Sequence, residues 1–160
     1  TGHIDAPHMV RVAWFLLLGH TPSILAGGLE CPGLSALSYD QCPGFRYKRE
    51  KNIPTWYGCL KPFQDSNGYL IKIAYRFDNQ YSKRPSVWVM APKLAIDAPH
   101  IYPKDKSLCL YFPKDQTWNP HKFISKVIVP LTAAWLGFYE LWLSTSIWHG
   151  PEAPHSGIKE

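Results

Sequence analysis

Tyr69-Leu70-Ile71-Lys72-Ile73-Ala74-Tyr75-Arg76-Phe77 decides how the rest of the chain must fold. Side chains alternate faces along a strand. Tyr69, Ile71, Ile73, Tyr75 and Phe77 therefore share one side, and Lys72 and Arg76 share the other. The apolar face requires a cover, whereas the basic face tolerates water. Upstream, Asp65-Ser66-Asn67-Gly68 has the residue types of a tight hairpin turn, and Pro54 sets up a strand over residues 55–60. Residues 45–49 alternate apolar and basic positions, the pattern of a half-exposed strand. Downstream, a polar turn over residues 78–85 leads to a fourth strand at 87–90. Four strands joined by short turns give an antiparallel meander.

The cover comes from the last third of the chain. Asn119 is a good helix N-cap and Pro120 suits the first helical position. Ile124, Val127, Ile128, Leu131, Trp135, Phe138 and Trp142 then follow helical spacing in one apolar stripe. Pro130 falls inside that stripe and either kinks one helix or starts a second, so C-terminal helices are expected. Trp148-His149-Gly150-Pro151-Glu152 breaks the pattern into a tail. Ahead of the meander, residues 21–44 are rich in Gly, Pro and Ser and read as a loop with a short helical piece. The expected class is α+β: an N-terminal helix, a four-stranded meander and C-terminal helices.

With 160 residues, the chain fits one domain with a sizeable core. Hydrophobic content of 46% against 18% charged residues supports a globular chain, and 15 prolines imply many turns. The net charge of +5 is modest, and no arginine-rich arm accompanies the basic clusters at residues 46–51 and 104–106. A solvated face accounts for them, so no nucleic-acid partner is expected.

Residues 1–8 read as a cloning scar ahead of a natural start at Met9, leaving residues 9–160 as a single domain. Arg11 and the apolar run at 12–19 imitate a signal peptide, but the run is too short to span a membrane. A buried amphipathic helix is the preferred reading, with a cytoplasmic location and no membrane partner. Cysteine spacing contains no Cys-x-x-Cys pair, and no His pair lies at zinc spacing, so neither metal nor cofactor is expected. Cys31 and Cys42 each begin a Cys-Pro-Gly triplet, and Cys59 reads as a small core residue in a strand.

Chemistry concentrates in the stretch without regular pattern at residues 91–119, a length at which loops inside compact domains are often functional. Cys109 lies there between Leu108 and Leu110. A thiolate is a strong nucleophile at neutral pH, and His100, Lys104 and Lys106 are cations or potential cations nearby in sequence. Cys109 and His100 are the leading catalytic candidates, with Asp105 and His155 as secondary ones. The bland alternatives are an inert cysteine and a structural histidine. No Gly-rich phosphate loop, serine-nucleophile motif or paired-carboxylate pattern competes.

Three motifs together, Tyr102-Pro103, Ser107-Leu108-Cys109-Leu110 and Trp118-Asn119-Pro120 ahead of a helix, resemble those of ubiquitin-conjugating enzymes. The resemblance covers residues 45–142 and implies that Cys109 accepts an acyl group as a thioester and passes it on. The family's His-Pro-Asn triplet, whose Asn supports the oxyanion, is replaced by Ala98-Pro99-His100, with no Asn between His100 and Cys109. Loss of such a donor ordinarily costs about 3–4 kcal/mol of transition-state stabilisation. Either His100 or a backbone amide takes that role, or isopeptide ligation is weak.

Trp135-Leu136, residues 139–143 and the tail at 148–155 resemble the stand-alone bacterial members associated with CBASS antiphage operons. That resemblance implies a cGAS-like cyclic-oligonucleotide synthase as partner, its C-terminus being the acyl group captured by Cys109. The alternative is a non-catalytic adaptor of the same fold that binds and stabilises the synthase. A secreted disulfide protein is the third reading, supported by the N-terminal run alone.

Overall fold

The computed structural model describes residues 38–39, 44–66, 68–75, 84–112 and 116–152. The meander is present, with β1 Ser38–Tyr39, β2 Phe45–Glu50, β3 Ile53–Leu60, β4 Tyr69–Tyr75 and β5 Pro85–Ala91 in spatial order β1-β2-β3-β4-β5. Every neighbouring pair is antiparallel. The four expected strands are β2 to β5; the two-residue β1 adds a short edge within the segment read as a loop. The expected N-terminal helix, Arg76 and Phe77 lie outside the described residues.

Pairing puts Leu60 opposite Tyr69, Gly58 opposite Ile71 and Trp56 opposite Ile73, with Ile71 and Ile73 facing Val89 and Val87 on the other side. This is the apolar face expected from the alternation in residues 69–77, and Ile71 and Ile73 are fully buried. Phe45 pairs with Gly58, and its ring lies over that glycine. A Cβ at position 58 would sit 2.5 Å from Phe45 Cγ, so only glycine lets the ring close over the strand.

Lys72 and Trp88 occupy the opposite face, paired across β4 and β5. The Lys72 ammonium stands 5.6 Å from the Tyr57 ring centre and 5.9 Å from that of Trp88. It donates to Glu50 Oε2 at 2.9 Å, and the Tyr57 hydroxyl donates to Glu50 Oε1 at the same distance. This network ties β2, β3, β4 and β5 together on the wet side of the sheet.

Among the described residues one helix, α1 Ile124–Thr145, covers the apolar face. Expectation and structure differ at its start and at its middle. Phe123 takes the N-cap position without a side-chain cap, while Asn119 forms a separate turn, its Oδ1 accepting from His121 N at 3.0 Å. Pro130 lies inside the continuous helix rather than dividing it. A proline there removes a backbone donor at roughly 3 kcal/mol, and the burial of residues on both sides of it offsets that cost. Val129, Leu136 and Tyr139 are buried together with Ile128, Leu131, Trp135 and Phe138 of the expected stripe, while Ile124, Val127 and Trp142 are half-buried, so the middle of α1 is enclosed nearly all round. By length and composition α1 could cross a membrane, with a mean hydropathy of 1.4, but 56% of its apolar window is buried within the fold. The hydropathy therefore reads as that of a core helix. At the far end Ser146 adopts the left-handed conformation and donates its amide to Trp142 O at 2.7 Å, closing the helix.

Two outcomes follow from the sheet. Gly58→Val would push the Phe45 ring off β3, lowering stability by about 1–3 kcal/mol, read as a fall in urea midpoint. Lys72, chiefly through its hydrogen bond, holds the Glu50 carboxyl below its ordinary value of 4.5. Because folding lowers this pKa, the stabilisation is complete above 4.5 and fades as pH falls through the folded-state value. Urea midpoints of the wild type and Glu50→Gln should differ at neutral pH and converge in acid; a gap independent of pH contradicts the network.

Candidate active site

The stretch read as patternless contains a small antiparallel hairpin. Ile101 and Leu108 form a bridge, and Tyr102 N donates to Ser107 O at 2.8 Å. Pro103-Lys104-Asp105-Lys106 makes the turn, closed by Lys106 N donating to Tyr102 O at 2.9 Å. His100 and Lys106 both have positive φ, 55° and 61°. Neither is glycine, which is why the sequence carries no ordinary turn signal here. The visible cue was weaker: Ile101-Tyr102 and Leu108 flank a four-residue polar turn beginning with proline.

The hairpin is fastened to the core. Leu108 is 4% exposed and packs in the main apolar cluster, while its amide donates to Val87 O on β5 at 2.8 Å. The next amide, that of Cys109, donates to His100 O at 2.8 Å. Two consecutive short backbone bonds thus fix the chain leading into the thiol. Cys109 is half-buried and is a free cysteine. Cys59 corrects the earlier expectation: it is half-buried rather than a core residue, and it is disulfide-bonded.

Tyr102 stands at the thiol. Its hydroxyl oxygen accepts from Arg84 Nη1 at 3.1 Å. The guanidinium also lies over the Tyr102 ring, 5.0 Å from its centre. Burial first, then the nearby Cys109 thiol, pushes the Tyr102 phenol upward, while Arg84 pulls the other way. Beside these residues lies a cleft of about 220 Å3, lined among others by Arg84, Tyr102, Lys104, Ser107, Leu110 and Tyr111. Among the described residues the Tyr111 hydroxyl is buried without a partner, and burial pushes that phenol up to about 12.

His100 and Cys109 are brought together by backbone rather than by ring. The imidazole stacks on Trp148 with centres 4.7 Å apart, and its Nε2 lies 3.8 Å from Glu152 Oε1. Trp148 in turn packs against Trp135 and Phe138 of α1, so the tail folds back onto the helix rather than breaking away. Asp105 holds the turn: its Oδ1 accepts from Ser107 N at 3.1 Å and from Ser107 Oγ at 2.8 Å. Its carbonyl accepts from Trp88 Nε1 at 2.9 Å, a second tie between hairpin and sheet. His155 lies outside the described residues. Trp118 meets Tyr75 edge-on at 6.1 Å, which brings the segment after the cysteine against β4. Sequence reading missed Arg84, which the whole of β5 separates from Cys109, and took Tyr102 only as part of a motif.

A meander that presents one cysteine on a core-fastened hairpin, followed by a long covering helix, has the layout of an E2-like, ubiquitin-conjugating-type protein. Residues 35–156 match the family described as Type II CBASS E2 protein, and the chain belongs to that family. No curated protein matches the chain.

If Asp105 organises the turn, Asp105→Ala leaves the Ser107 amide without its acceptor. Such a loss is worth about 1 kcal/mol. Faster hydrogen exchange at Ser107 and a lower thermal midpoint are expected, while unchanged exchange there would show that the turn stands without Asp105.

Proposed function

We propose that Cys109 captures the C-terminus of a cGAS-like nucleotidyltransferase as a thioester and primes that enzyme for antiphage signalling. The observation that carries the reading is the free thiol of Cys109 on its fastened hairpin, in a chain whose family is defined by its E2 character within CBASS. Cys109 acts as the nucleophile, which makes the protein a cysteine-dependent acyl transferase. His100 positions it by accepting its amide proton. The neighbouring cleft is smaller than ligand pockets of roughly 300–1,000 Å3, and it suits the last residue of an extended peptide better than a nucleotide. A protein partner of the family's operon context fits that geometry, and a cytoplasmic site of action accompanies it.

A non-catalytic adaptor is the second reading. It draws on the exposed apolar residues around α1, where Phe123, Leu143 and Ile147 are 60%, 53% and 60% exposed. The two readings separate on the thiol. Coexpressed with the nucleotidyltransferase, the wild type should yield a covalent adduct that Cys109→Ala lacks, with the fold retained by circular dichroism. Cys109→Ser should trap a reductant-resistant ester. An adduct of wild-type yield in Cys109→Ala would eliminate the catalytic reading and leave the adaptor.

A further inference from the structure

We infer that Trp148, beyond the end of α1, is a positioning residue for Cys109 and acts on it through His100. Its indole face holds His100 in the backbone conformation whose carbonyl fixes the Cys109 amide. The consequence for acyl transfer rests on the capture reading above; the positioning itself does not.

Ties from the side of β5 reach the hairpin at Tyr102, Asp105 and Leu108, from Arg84, Trp88 and Val87. The bond at the cysteine itself goes elsewhere: Cys109 N donates to His100 O at 2.8 Å. His100 accepts it from a φ of 55°. A residue with a Cβ occupies that left-handed region at a cost, and stays there because its surroundings hold it. Were His100 to relax to negative φ, its carbonyl would leave the Cys109 amide.

The hold comes from far along the chain. The His100 and Trp148 rings stack with 4.7 Å between centres and 30° between planes. Trp148 is half-buried between the exposed Ile147 and His149, in a stretch that is neither helix nor strand. Its ring centre lies 5.8 Å from those of Trp135 and Phe138, which are 3% and 4% exposed. The chain then closes over it, since a Cβ at Gly150 would fall 2.8 Å from the indole. The ring is thus wedged between the buried side of α1 and His100.

The contact is made by ring faces. Trp148 Nε1 is buried and makes no hydrogen bond among the described residues, so the indole is not placed there for its N–H. Glu152 Oε1 lies 3.8 Å from His100 Nε2, but the Glu152 side chain is 58% exposed, and a pair so open to water holds little. Support therefore runs from Trp135 and Phe138 through Trp148 to His100, and ends at the Cys109 amide.

The test measures amide hydrogen exchange and acyl transfer in wild type, Trp148→Leu, Trp148→Phe, Glu152→Gln, His100→Gly, the double variant His100→Gly/Trp148→Leu, and Cys109→Ala. Leucine keeps apolar bulk against Trp135 and Phe138 without a flat face; phenylalanine keeps the face and drops the N–H. Acyl transfer is read as adduct formation with the nucleotidyltransferase carrying a C-terminal mercaptoethanesulfonate thioester. The Cys109 sulfur bonds to the acyl carbon, the bond to mercaptoethanesulfonate breaks, and that thiol leaves with the proton Cys109 gives up.

Trp148→Leu should speed exchange at the Cys109 amide about fivefold or more, while the Leu108 amide, bonded to Val87, keeps its protection. Misplacing a reacting group by about 1 Å can cost about a hundredfold in rate, so adduct formation should slow by about ten- to a hundredfold. Trp148→Phe should restore most of both, and Glu152→Gln should change neither by more than about twofold. Glycine takes a positive φ without support, so Trp148→Leu should slow His100→Gly little further. Exchange that rises equally at Leu108 and Cys109, or at neither, would reduce Trp148 to core packing and overturn the inference. Acyl transfer by Trp148→Leu at the wild-type rate, with Cys109→Ala inactive, would overturn it as well. An adduct surviving in Cys109→Ala would overturn the capture reading, and the exchange result would still decide the role of Trp148.

Discussion

The bond from Leu108 N to Val87 O is the constraint on which the site depends. It joins an otherwise irregular segment to the last strand of the sheet, and the Leu108 side chain secures the same point from inside the core. Cys109 is the next residue along. Its own amide is fixed to His100, so the thiol inherits the rigidity of the sheet although it stands outside it. The sheet is rigid at this point because Ile71, Ile73 and Val87 are packed against Ile128 and Leu136 of the covering helix. Removing that packing would leave Cys109 on a floppy loop with the same sequence and little of its positioning.

A second layer of ties divides the work between polar and apolar contacts. Trp88 reaches across the wet face of the sheet to the Asp105 carbonyl, and Arg84 at the start of β5 reaches Tyr102. Both anchors come from one edge strand and its approach, and both act on the hairpin that carries the thiol. Tyr139 on α1 accepts the Ala95 amide through its hydroxyl, which secures the chain where it leaves that strand. Helix, edge strand and hairpin therefore meet around one cysteine, and each contributes a bond whose loss would be felt at the sulfur.

The sheet was legible because its signals are local and periodic. The alternation in residues 69–77 predicts the face occupied by Ile71 and Ile73, and the boundaries of the four long strands fall within a few residues of expectation. The helix was legible in kind but not in detail. Pro130 offered two readings that only tertiary burial separates, and Asn119 looked like a cap although it serves a turn ahead of the helix. The hairpin was illegible because His100 and Lys106 adopt positive φ without being glycine, a conformation the surroundings impose. Cys109 stood out by its neighbours in sequence. Arg84 did not, since its contact with Tyr102 is made by the fold, and Trp148 returned to His100 from a stretch that read as a tail.

The central claim is a covalent bond between Cys109 and a partner's C-terminal carbonyl. Peptide mapping of the copurified complex by mass spectrometry, with and without hydroxylamine, tests it most directly. The account predicts a linked peptide joining the segment that contains Cys109 to the last residue of the nucleotidyltransferase, lost on hydroxylamine treatment as a thioester must be. A tight complex whose peptides are all unlinked, or a linkage that maps to another residue, would contradict it.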